Sequence, residues 1–171
     1  MMKVVFRTDA SLQMGTGHVM RCLTLADSLT DQGAECQFIC REHPGNLISY
    51  LRDKGYGVLA LPVTTNNENL DCDLAHASWL GSRQDEDAEQ CVPLLEQIHP
   101  DWLIVDHYAL DHHWESALRP YYKKLMVIDD LADRQHDSDL LLDQTFGRAA
   151  TDYRSLVPKA CQLRCGSQYA L

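Results

Sequence analysis

No stretch of this chain is apolar over the roughly 18 residues that a membrane helix needs. The opening Met1-Met2-Lys3-Val4-Val5-Phe6-Arg7 lacks the long apolar core of a secretory signal. Both absences predict a cytoplasmic protein with no membrane partner. Basic residues are scarce: 15 Lys and Arg stand against 25 Asp and Glu, a formal net charge of −10. Such a surface repels a phosphate backbone, which argues against nucleic acid as the main partner. Cysteine occurs seven times but never as C-x-x-C, and the odd number fits reduced thiols rather than a disulfide framework. The closest spacings, Cys36/Cys40 and Cys161/Cys165, read as scattered small hydrophobes rather than halves of a metal site. Missing too are an H-E-x-x-H pair and a G-x-S-x-G elbow, so neither a metal hydrolase nor a serine nucleophile has its usual signature. With no repeat, low-complexity tract or internal linker, residues 1–171 read as one domain.

What is present is concentrated between Arg7 and Cys22. The apolar run Val4-Val5-Phe6 reads as a short buried strand, and Val19, Cys22, Leu23, Ala26 and Leu29 step like the inner stripe of an amphipathic helix. Between them lie Gly15 and Gly17, with His18 at the mouth of the helix. A strand feeding a glycine turn and then a helix is where an open α/β sheet binds its ligand. The pair of glycines is not a dinucleotide fingerprint, because Met20 stands where a third glycine or alanine belongs. No nicotinamide or flavin is expected, and no other cofactor. The positive end of a helix disfavours an imidazolium, so His18 should stay neutral and able to accept a proton, with a nearby carboxylate, Asp9, to offset the charge it gains. Arg7 and Asp9, two apart, share a face of the strand end and read either as an ion pair or as orienters of the loop. Arg21, one turn beyond His18, reads as a phosphate contact or as a solvated helix arginine.

Strand-like and helix-like segments then alternate. Strands are predicted at 34–40, 56–61, 101–106, 124–130 and 139–143, and helices at 18–32, 47–54, 85–98 and 111–121. Nearly continuous apolar strands imply a parallel sheet with helices on both faces, a Rossmann-like α/β domain. Three strands run into acid, at Asp106, Asp129 and Asp143, which lines carboxylates along the rim that carries the glycine loop. Residues 63–83 are polar and irregular, a long loop of the kind that is often functional, and Trp79 within it reads as a sugar-stacking platform or as a plug onto the core. Asp106-His107, His112-His113 and Asp129-Asp130 invite a metal reading, but without fixed ligand spacing none is expected. Asp106 and Asp129 read as ligands for sugar hydroxyls or as loop caps.

The pattern R-x-D-x-x-x-x-x-G-x-G-H-x-x-R-C-x-x-L-A, built here from Arg7, Asp9, Gly15, Gly17, His18, Arg21, Cys22, Leu25 and Ala26, resembles the start of the PseG family. These are UDP-2,4-diacetamido-2,4,6-trideoxy-β-L-altropyranose hydrolases of pseudaminic acid biosynthesis, a route to flagellin and cell-surface glycosylation. Ile104-Val105-Asp106-His107-Tyr108, Val127 to Arg134 and Cys165 to Leu171 are similar to that family as well. The resemblance implies one half of a GT-B architecture, in which a second domain holds most of the UDP. It also implies metal-independent, inverting hydrolysis of a UDP-sugar at its anomeric carbon, with His18 as the base. On this reading His18 is catalytic, and Asp9, Gly15, Gly17, Arg21, Trp79 and Asp106 face the substrate. The expected partner is a C-terminal nucleotide-binding domain beyond Leu171, and the isolated chain is expected to turn over poorly. A GT-B glycosyltransferase and a non-catalytic sugar-nucleotide-binding or partner-binding domain are the alternatives.

Overall fold

The computed structural model describes residues 1–64 and 73–171. Its order is β1 (Lys3–Thr8), α1 (Gly17–Asp31), β2 (Glu35–Arg41), α2 (Ile48–Asp53), β3 (Gly57–Leu61), α3 (Gln84–Ile98), β4 (Trp102–Asp106), α4 (His112–Ala117), β5 (Lys124–Ile128), β6 (Leu140–Asp143) and β7 (Gln162–Cys165). All pairings are parallel and the sheet order is β3-β2-β1-β4-β5-β6-β7.

Alternation along the strands divides the core in two. Val5, Ile39, Leu103, Val105, Leu125 and Val127 point to one face, where Cys91 and Leu95 of α3 and Trp114 of α4 cover them. Val4, Phe6, Phe38 and Ile104 point to the other, under Val19, Cys22, Leu23 and Ala26 of α1 and Leu51 of α2. Phe6 and Phe38 stack across the β1–β2 pair with centroids 4.9 Å apart. Each such fully buried side chain contributes about 1.5–3 kcal/mol of transfer free energy, so covering both faces is what makes the parallel arrangement stable. The doubly wound Rossmann-like domain expected from the strand pattern is the fold that forms. Among the described residues, no helix is long and apolar enough to cross a membrane.

Two segments differ from the pattern reading. The helix expected over 111–121 stops at Ala117 and gives way to a 3₁₀ turn at Arg119–Tyr121. Pro120 cannot donate to a continuing helix, which ends it. The segment after Cys161, where no strand was expected, pairs with β6 as β7. It lies at the sheet edge, and its burial is only partial. An edge strand can therefore be short and polar, which hides it from hydropathy. Of the long loop expected at 63–83, residues 65–72 fall outside the described residues.

The chain direction matters for function. From β1 the connections run outward to β2 and β3 on one side and to β4 and beyond on the other. The crevice at that reversal, beyond the carboxyl ends of β1 and β4, is where such sheets bind ligands. Thr8 and Asp106 are register partners there.

Candidate active site

The loop leaving β1 closes on itself, with Gly15 N–H donating to Ser11 O at 2.8 Å and Ser11 N–H to Gly15 O at 3.3 Å. Gly15 sits at φ +76°, the left-handed region that glycine enters without steric cost. Gly17 has an ordinary φ, and a Cβ there would meet nothing within 4 Å, so neither backbone nor packing demands glycine at the first residue of α1. Leu12 N–H donates to Pro44 O at 2.9 Å, which seats this loop against the one after β2.

His18, Arg21 and Cys22 occupy positions i, i+3 and i+4 of α1 and so share one helical face. All three converge on Asp106. His18 Nδ1 lies 2.6 Å from Asp106 Oδ1, Arg21 grips both carboxylate oxygens through Nε and Nη2, and Cys22 Sγ is 3.8 Å from Oδ2. Asp106 is completely buried, which opposes its charge, but the Arg21 and His18 bonds prevail and hold its carboxyl below the usual range. An ionised Asp106 can only accept, so neutral His18 carries its proton on Nδ1 and leaves a lone pair on Nε2. Among the described residues Nε2 has no hydrogen-bond partner.

This arrangement revises the expectation for Asp9. The carboxylate beside His18 is Asp106, and Asp9 belongs to a separate buried cluster. Asp106, read as a sugar-hydroxyl ligand or a loop cap, has both oxygens occupied by protein donors. Arg21, read as a phosphate contact or a solvated helix arginine, is bound to Asp106 and, through Nη1, to Asp130 Oδ2 at 3.2 Å.

A wall of rings stands beside His18. The Tyr108 ring meets His18 edge-on with centroids 4.5 Å apart and an interplanar angle of 88°. Trp79, on a 3₁₀ turn at Ala77–Leu80, stacks on Tyr108 at 5.7 Å and 29°, and His76 contacts both rings. Trp79 is thus packed against neighbouring rings while remaining part-exposed. Burial and the bond it donates to Asp130 push the Tyr108 hydroxyl well above its ordinary pKa, so it stays protonated.

Beneath the rim lies a buried charge cluster. Arg7, Asp9, Arg41 and Asp87 are all at 0% exposure. Asp9 accepts from Arg7 Nη1 at 2.7 Å, from Arg41 N at 2.7 Å and from His107 Nε2 at 2.8 Å. Asp87 accepts from Arg7 Nη2 and Arg41 Nη2, each at 2.6 Å, and from Trp114 Nε1 at 2.8 Å. Two arginines against two aspartates balance the charge, which is what makes burial tolerable. Arg7 and Asp9 are an ion pair, one of the two readings their spacing allowed. Arg41 and Asp87 carry no sequence signal for this role, since their meeting depends on how α3 docks.

Burial lowers the His107 pKa and Asp9 only partly offsets that; Nδ1 accepts from Ala109 N at 3.1 Å, so the ring is neutral. In the unfolded chain this histidine takes up a proton near pH ~6.5. Its contribution to stability is therefore full above that pH and is lost as pH falls through the lower folded value. Asp9, Asp87 and Asp106 have lowered folded pKa values, since their arginine and histidine partners outweigh desolvation. They add a second loss below about pH 4. Urea midpoints should decline in two stages as pH falls from 8 to 3, the first below about pH 6.5; a flat profile down to pH 4 would remove His107 from the account.

No protein-family model matches the chain. Across 171 residues it is 30% identical to the UDP-2,4-diacetamido-2,4,6-trideoxy-beta-L-altropyranose hydrolase of Campylobacter jejuni, covering 99% of this chain and 52% of that protein. The PseG resemblance holds along the whole chain. An uncharacterized protein of Methanocaldococcus jannaschii is 24% identical over 129 residues, covering 75% of this chain and 22% of its own length. MurG of Acinetobacter baumannii aligns in structure with a TM-score of 0.61 at 13% identity, over 95% of this chain and 44% of that one. That likeness shows the fold: this is a Rossmann-like domain of the kind that forms half of a GT-B molecule. The chain spans about half the length of the hydrolase it matches.

Three of the stretches that carry the PseG resemblance meet at one rim. The loop and helix from β1 bring His18, Arg21 and Cys22; the end of β4 brings Asp106, His107 and Tyr108; and the turn after β5 brings Asp129, Asp130 and Arg134. Arg134 ties the last two together, donating to Asp129 Oδ1 at 2.9 Å and to His107 O at 3.1 Å. Asp129, read as a sugar ligand or a loop cap, accepts from Ala132 N in the turn that follows it, which is the cap, and also from Arg134 and the Tyr153 hydroxyl.

Among the described residues, the group with donors close enough for a shared metal ion is Asp111, His112 and His113 at the start of α4. Asp111 caps that helix by accepting from His113 N at 2.9 Å, and the trio makes no contact with His18, Asp106 or Arg21. The buried aspartates of the rim are occupied by arginine, histidine and tyrosine rather than arranged around a common point.

Proposed function

We propose that this chain is the catalytic half of a UDP-sugar hydrolase, acting on a UDP-linked diacetamido-trideoxy sugar without a metal and with inversion at the anomeric carbon. The observation that carries the reading is the His18–Asp106 pair at the sheet's switch point, with Nε2 as the ring nitrogen left unbonded. In this mechanism Nε2 removes a proton from water as its oxygen attacks the anomeric carbon opposite the nucleotide. The bond from that carbon to the phosphate oxygen breaks, and UDP departs with the electron pair. The imidazolium formed lies against the Asp106 carboxylate, which offsets the unfavourable field of the α1 N-terminus. UDP is a weak base and leaves without a second carboxylate to protonate it, so positioning and one base suffice.

Trp79 supplies an apolar face for the sugar beside the base. The described cation that touches His18 is Arg21, and it is already bound to two carboxylates. That supports assigning the diphosphate to a second domain, for which the longer relative has the length.

The test uses water labelled with heavy oxygen, the UDP-sugar, and this chain either alone or joined to the half of its hydrolase relative that it does not span. The joined protein should release UDP and place the label on the anomeric hydroxyl of the free sugar, while the chain alone turns over far more slowly. Label in the UDP, or sugar appearing only on an added acceptor, would reject hydrolysis at the anomeric carbon and favour a glycosyltransferase.

A further inference from the structure

We propose that Arg21 is a positioning residue, which locks the base to the aromatic wall and is not a ligand for substrate phosphate. The inference rests on His18 being the base. Arg21 presents Nε and Nη2 to the two oxygens of Asp106, and Nη1 to Asp130 Oδ2 at 3.2 Å. The other Asp130 oxygen accepts from the Tyr108 hydroxyl, and the Tyr108 ring returns to His18 edge-on. His18, Asp106, Arg21, Asp130 and Tyr108 therefore form a closed circuit, each member touching the next. Asp130 is itself anchored, since its carbonyl accepts from Arg148 Nη2 at 2.9 Å.

Both ends of the guanidinium are committed, and its side chain is only 11% exposed. A planar fork is required for this task, because it bonds two carboxylates in fixed directions at once. The ammonium of lysine is a point charge on a flexible stem and cannot hold both. Through Tyr108 the circuit reaches Trp79 and His76, so the ring that meets the sugar and the ring that meets the water are held in one frame. Fixing their relative placement is what brings water, base and anomeric carbon into line.

The experiment is nitrogen NMR of the ¹⁵N-histidine-labelled chain at a pH where His18 is neutral, comparing the wild type with Arg21→Lys, Asp130→Asn and Tyr108→Phe. The wild type should show His18 protonated on Nδ1. Arg21→Lys should give a mixture of the two tautomers. Asp130→Asn and Tyr108→Phe alter groups that do not bond His18, yet both should shift it the same way, and together no further than either alone. In the two-domain enzyme the same variants should lower kcat roughly tenfold with KM little changed. Unaltered His18 signals in Asp130→Asn and Tyr108→Phe would overturn the proposal, as would weakened UDP binding by Arg21→Lys with His18 unmoved. If Arg21→Lys does not fold, the other two variants carry the test. Tautomer shifts without any hydrolysis would keep the circuit and reject the hydrolase reading instead.

Discussion

Replacing Asp87 by alanine should lower the stability of the fold by about 3–5 kcal/mol, one of the two largest effects expected here. Asp87 is completely buried and accepts from Arg7, Arg41 and Trp114. Alanine would leave two guanidinium groups away from water against a single remaining carboxylate, Asp9, together with an indole N–H that has lost its acceptor. An uncompensated buried charge costs more than its pair contributed, which is why truncation is severe even where a fully apolar replacement is not. Urea unfolding of the wild type, Asp87→Ala and Asp87→Asn gives the measurement. The asparagine variant keeps a side-chain oxygen for Trp114 Nε1 and should fall between the other two. A loss within 1 kcal/mol for alanine, the scale of an exposed pair, would show that water reaches the cluster.

The second large effect is on turnover. On the proposed mechanism, Asp106→Asn should lower kcat of the joined two-domain protein by about 10²–10⁴, the scale of losing one general base. The amide is nearly the same size, but its NH₂ group donates where the carboxylate accepts. With that group turned to His18, Nδ1 must become the acceptor and the ring proton moves to Nε2. The lone pair that should meet water is then gone, although the ring has not moved. Turning the amide the other way keeps the tautomer but sets NH₂ against Arg21. Measuring kcat and KM across pH, with the His18 nitrogen signals, separates the tautomer change from simple disorder. Activity within threefold of wild type would remove Asp106 from the mechanism.

Much of the scaffold was legible in the residues because it rests on short-range pattern. Val4 to Phe6, Leu103 to Val105 and Lys124 to Ile128 are apolar runs bounded by turn residues, and the sheet follows from their alternation with helices. The glycine loop and His18 were legible for the same reason, since strand, turn and helix are local. The partner of His18 was not. Asp9 is closer in sequence, but its side chain is drawn into the cluster with Arg7 and His107, and Asp106 reaches His18 only because β1 and β4 are neighbours. The period that would have shown the convergence, His18, Arg21 and Cys22 on one helical face, was in the sequence; what they face was not. Tyr108 and Asp130 lay in stretches that carried the resemblance, but their contacts with His18 and Arg21 were not legible, as each is placed by a turn that follows a strand. The edge strand β7 was missed because a strand paired on one side buries little.

The strand order carries a consequence for synthesis. β1 is made before the other strands of this sheet, yet it sits at the inside with β2 on one flank and β4 on the other. Its second flank cannot be covered until Trp102 to Asp106 have left the ribosome. At the pace of translation that leaves an apolar strand edge open for about 5–20 s. Until then the amides and carbonyls on that flank of β1 lack the β4 partners they have in the finished sheet. The strand whose carboxyl end leads into the candidate site therefore waits longest, among the strands made before β4, for a partner it has in the finished sheet.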